Sequence, residues 1–99
     1  MVQVIENRSH VEGDLLGWEP TSSLPGFGKI EILVRKVMPV EAFPNLLGEA
    51  AGQRVQIYVP ERMLLSNAPT PGTKVAGWVR KGGPVNLFAD PNHFSMTSG

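Results

Sequence analysis

Apolar and polar residues alternate along four stretches of this chain. In Lys29–Val37, Ile30, Ile32 and Val34 fall on one face, with Lys29, Glu31, Leu33 and Arg35 on the other. In Gly52–Pro60, Val55, Ile57 and Val59 oppose Arg54, Gln56 and Tyr58. In Thr73–Lys81, Val75, Gly77 and Val79 oppose Lys74, Ala76, Trp78 and Arg80. Beyond Gly82-Gly83, Val85, Leu87 and Ala89 alternate with Asn86 and Phe88. A period of two predicts strands with one dry face, and the glycine pair predicts a hairpin between the last two. The predicted core is Ile30, Ile32, Val34, Val55, Ile57, Val59, Val75, Val79 and Leu87.

The segments between these strands read differently. Pro60-Glu61-Arg62-Met63-Leu64-Leu65 predicts a single helical turn, with proline and an acid where a helix start favours them and Met63 and Leu64 as a plug for one end of the core. Residues 21–28 (TSSLPGFG) read as a loop, and residues 40–51 hold at most one turn around Asn45–Leu47, because Pro44 and Gly48 oppose a longer helix. Pro71-Gly72 suits a type II bend. Upstream, residues 2–5 (VQVI) suit a short strand or an arm, and Leu15, Leu16 and Trp18 form an apolar patch. Asp90-Pro91-Asn92 closes the last strand, leaving residues 93–99 as a flexible tail, with Phe94 as a possible anchor. The expectation is one domain over residues 1–99: an irregular N-terminal arm with a possible strand in 1–28, a barrel in 29–90, and the tail.

Five or six short strands in so small a chain close into a barrel because closure removes exposed edges. The order strand, helical turn, hairpin in GQRVQIYVPERMLL and GTKVAGWVRKGGPVNLFADP resembles the OB-fold class over roughly the last half of the chain. The resemblance is one of pattern, with a helix shorter than usual, and an SH3-like barrel stays open. It implies an all-β, five- to six-stranded OB-like barrel with one short helical turn.

Composition narrows the functional classes. The chain has 99 residues and a hydrophobic fraction of 41%, enough for one modest core. Cysteine is absent, which excludes disulfides and thiolate chemistry. No run is long and apolar enough to span a membrane, and the first residues, MVQVIENRSH, lack a signal-peptide pattern, so the expectation is a cytoplasmic protein with no membrane partner. Formal net charge is zero, but it is unevenly placed: residues 1–31 carry five acids and two bases, residues 50–81 five bases and one acid. This disfavours strong non-specific attraction to polyanions and permits a weaker or more specific anionic partner.

Candidate chemistry lies on the polar phase of the strands. Arg54 and Tyr58, then Lys74, Trp78 and Arg80, then Phe88 place cations and rings on the presumed outer face. Single-strand-binding barrels use this combination, with bases stacked on rings and cations near phosphates. These six residues are the candidate ligand site of a non-catalytic binding module, with single-stranded nucleic acid as the leading ligand. A protein partner docked on the same patch is the alternative, since Trp, Tyr and Arg are favoured there too. The same rings can instead be structural, with Trp18, Phe27 or Phe43 packed on Trp78 and Tyr58 and burying them within the chain. A small enzyme ranks last. His10 and His93 with Asp14 or Asp90 make a poor metal set or triad, Glu12 and Asp14 lie in a polar segment, and Lys81–Pro84 lacks phosphate-loop spacing. No catalytic residue, metal or cofactor is expected.

Overall fold

A sheet with one apolar face must bury it, and here it does so by curling onto itself. The structure, a computed structural model, describes residues 7–82 and 86–97. Its elements are β1 (Ser9–Glu19), β2 (Phe27–Pro39), β3 (Arg54–Pro60), α1 (Glu61–Asn67), β4 (Lys74–Gly82) and β5 (Asn86–Thr97). They form a closed barrel in the order β1-β2-β3-β5-β4. β1 pairs antiparallel with both β2 and β4, while β3 meets β5 in parallel. Five-strand closure with one short helix between β3 and β4 is an OB-like barrel, so the fold expected from the second half of the chain takes in the first-half strands β1 and β2 as well. Among the described residues 59% are strand and 8% helix, far below the third that helix averages in globular proteins.

The inward phase is the apolar one. Ile30, Ile32, Val34, Ile57, Val59, Val75, Val79 and Leu87 are buried as expected, joined by Val11, Leu15, Leu64 and Ala89. Val55 is the exception: it is half-buried at the start of β3, next to exposed Arg54. Leu64 of α1 is fully buried and closes one end of the barrel, with Met63 packed partly beside it. The helix approaches so closely that a Cβ on Gly28 would collide with the Leu64 side chain and would lie 2.6 Å from the Glu19 carbonyl.

Two further expectations need correction. The barrel begins at Ser9, not at residue 29, because β1 is a full strand. Its inward positions are Ser9, Val11, Gly13 and Leu15, two of them not apolar, and bulges at Glu12/Gly13 and Leu15/Gly17 shift its register against β2. Alternation is therefore faint there. Gly13 is required where the strands cross, since a Cβ would collide with the Leu33 carbonyl oxygen. Second, residues 93–97 are strand, not tail: Phe94↔Gly77, Ser95↔Ala76, Met96↔Val75 and Thr97↔Lys74 extend β5. Asp90-Pro91-Asn92 interrupts the ladder without ending it. The expected short helical element is present as α1, seven residues that end where Ala68 takes a left-handed conformation and donates its N–H to the Leu64 carbonyl at 2.8 Å. The possible strand at residues 2–5, the glycine turn at 83 and the last two residues of the tail lie outside the described residues.

Side-chain hydrogen bonds hold the irregular segments to the barrel. Ser9 Oγ, fully buried, donates to Asn45 Oδ1, which also accepts from the Leu47 N–H at 3.2 Å. Trp18 Nε1 donates to the Pro69 carbonyl at 2.6 Å, tying β1 to the segment after α1.

Candidate ligand-binding face

Four strands contribute one row of outward side chains. Cross-strand registers place Lys29 of β2 opposite Tyr58 of β3, Tyr58 opposite Phe88 of β5, and Phe88 opposite Arg80 of β4. Lys29 Nζ lies 5.4 Å from the Tyr58 ring centroid. The Tyr58 and Phe88 rings stack at 5.4 Å with 28° between planes. The Arg80 guanidinium sits 4.7 Å from the Phe88 centroid, and Phe27 meets Phe88 edge-on at 6.1 Å. The result is a row of cation, ring, ring, cation about 14 Å long, three interstrand spacings.

Beside the row lies a cleft of about 380 Å³. Arg8, Phe27, Trp78, Arg80, Phe88 and Asp90 supply its principal side chains. The Arg8 guanidinium rests on the Phe43 ring at 4.6 Å, and its Nε is 3.8 Å from Asp90 Oδ2. The cleft thus carries two guanidiniums, three rings and one carboxylate. Trp78 is half-buried, and one of its faces is covered by His93, with ring centroids 3.8 Å apart and 10° between planes.

The six candidate residues divide. Tyr58, Phe88 and Arg80 are in mutual contact, and Trp78 lines the same cleft as Arg80 and Phe88. Arg54 and Lys74 share the outer phase but not the place. Arg54 lies four residues before Tyr58, about 13 Å along β3, and Lys74 lies six residues before Arg80, about 20 Å along β4. Lys74 is instead held by Asp14, which also accepts from Arg35 Nε at 2.6 Å. Those two donors, Lys74 first, hold the Asp14 carboxyl below its ordinary value of 3.8.

Lys29 in the row, Phe27 and Arg8 in the cleft, and His93 on Trp78 were not among the candidates. Lys29 was visible as the polar phase of the first predicted strand. The other three lie in segments whose sequence reads as irregular. The expected cover of Trp78 and Tyr58 by Trp18, Phe27 or Phe43 takes another form: His93 stacks on Trp78 and Phe88 on Tyr58, while Phe27 packs on Phe88, Trp18 reaches Pro69 and Phe43 carries Arg8. Among the described residues no group of three His, Cys, Asp or Glu side chains is placed to hold a metal ion, and no helix is long and apolar enough to cross a membrane. No protein-family model matches the chain, and no curated protein matches its sequence.

Proposed function

We propose that this protein is a non-catalytic binding module that takes single-stranded nucleic acid across the outer face of β2, β3, β5 and β4. The observation that carries the reading is the Lys29–Tyr58–Phe88–Arg80 row, with Arg8 and Trp78 beside it. Rings offer sequence-tolerant stacking, and flanking cations meet phosphates at intervals along a strand. In proteins of this architecture oligonucleotides bind on the face of the second and third strands and the first and last loops, and Lys29 and Tyr58 stand on those two strands. The formal net charge of zero leaves attraction to the local cations alone.

The test is titration with a short single-stranded oligonucleotide at increasing salt. Neutralisation of about three phosphates by Lys29, Arg80 and Arg8 gives a slope of roughly −2 in log affinity against log salt. No binding at low salt defeats the reading. Salt-independent binding to a protein would favour the alternative, an apolar docking surface on the same rings.

A further inference from the structure

The register of β4 against β5 contains a surplus. Gly77 pairs with Phe94 and Val79 with Ala89, so a single β4 residue, Trp78, stands opposite four β5 residues, Asp90 to His93. Gly77 makes the return possible, because a Cβ there would collide with the His93 carbonyl and the Phe94 Cα. The extra residues cross over Trp78 and lay the His93 imidazole flat on the indole. His93 Nδ1 comes within 3.5 Å of Asp90 Oδ2, and its side chain remains 50% exposed.

We propose that the covered face of Trp78, with Asp90 at its edge, is a stacking subsite for a nucleobase, filled by His93 in the free protein and surrendered to the ligand. The imidazole shows what the subsite accepts: a planar nitrogen heterocycle lying parallel to the indole, its nitrogen edge toward a carboxylate. A nucleobase is a larger ring system of the same kind, with N–H donors on its edge for Asp90. Trp78, Asp90, Pro91 and Asn92 line the same cleft as Arg80 and Phe88, whereas His93 does not, so a strand lying on the ring row reaches Trp78 through the cleft and its covered face once His93 has moved. Among the described residues the His93 side chain makes the stack and the contact with Asp90, and as it is half exposed its displacement would leave the core closed. The inference rests on the nucleic-acid reading, and the experiment separates the two.

A His93→Ala variant in a Trp18→Phe background is titrated with a short oligothymidylate, following Trp78 fluorescence. Removing the competing ring should tighten binding about two- to tenfold, the worth of one aromatic contact. In the wild-type chain with labelled histidine, the His93 ring protons, shifted by the indole beneath them, should move toward free-histidine positions at saturation. A His10→Gln variant assigns the two histidines. Unchanged or weaker binding by His93→Ala overturns the inference and leaves the nucleic-acid reading standing. So does a His93 signal that stays shifted at saturation, which decides the matter alone if the variant fails to fold. Absence of binding by either protein overturns both.

Discussion

Tyr58 and Phe88 are opposite each other at the seam where β3 meets β5 in parallel, and their rings stack at 5.4 Å across it. The ring pair therefore has two tasks. It covers the closing seam of the barrel, and it forms the centre of the candidate face. Truncating either ring disturbs closure as well as ligand, so the flanking cations and Trp78 are the better probes of binding.

Arg80→Ala should weaken oligonucleotide binding and reduce the salt slope by about 0.7, one phosphate contact for a single strand. Arg54→Ala, about 13 Å from Tyr58 along the same strand, should leave the slope nearly unchanged. Equal effects from both would mean that the ligand follows the length of β3 and not the row across the strands. Fluorescence titration at several salt concentrations decides between them.

The core prediction is Ile57→Ala. Ile57 is fully buried and pairs with Ile30, itself fully buried. Its truncation should cost about 2–5 kcal/mol in chemical denaturation. A loss under roughly half a kcal/mol would be incompatible with the inward phase of β3.

Gly77→Ala should destabilise the barrel by about 1–3 kcal/mol, as overpacking does. The obstruction is backbone, the His93 carbonyl and the Phe94 Cα, which cannot step aside as a side-chain tip can. Thermal denaturation measures the loss. Gly17→Ala, where an added Cβ meets nothing within 4 Å, is the control and should change little.

Asp14 predicts an acid dependence. Lys74 and Arg35 lower its pKa in the folded state, so the folded protein holds the proton less tightly than the unfolded chain. Its contribution to stability is present above the unfolded value near 3.8 and is lost as pH falls through the lower folded value. Asp14→Asn should therefore flatten the fall of stability below about pH 4. Denaturation midpoints measured across that range, with equal slopes for both proteins, would refute the assignment.

Trp18→Phe removes the indole N–H that reaches the Pro69 carbonyl at 2.6 Å. The loss should be about 1–3 kcal/mol, since Pro69 is buried and its carbonyl loses that donor. Urea titration before any binding work establishes whether this background stays folded.

Strand existence and facing in β2, β3 and β4 were legible because alternation is a local property. Ile30, Ile57, Val59, Val75 and Val79 each fall on the apolar phase of their strand, and burial follows from phase alone. The outward phase was legible for the same reason, which is why Tyr58, Trp78, Arg80 and Phe88 could be named. Local pattern was insufficient for β1, where Ser9 and Gly13 occupy inward positions, and for β5, where Asp90-Pro91-Asn92 has the composition of a stop.

The amino-acid sequence by itself determined a small β-rich domain, its dry faces and a set of outward cations and rings. Only the tertiary structure decided which of those side chains meet. Contact across strands depends on register and strand order, both set by pairings between residues far apart in the chain, and each bulge resets them. Thus Lys29 joined Tyr58 while Arg54, on the same strand face, did not. Likewise Lys74 was drawn to Asp14, 60 residues away, and the surplus residues of β5 set His93 on Trp78. A period of two specifies the side of the sheet on which a side chain stands; the closed barrel specifies its neighbour.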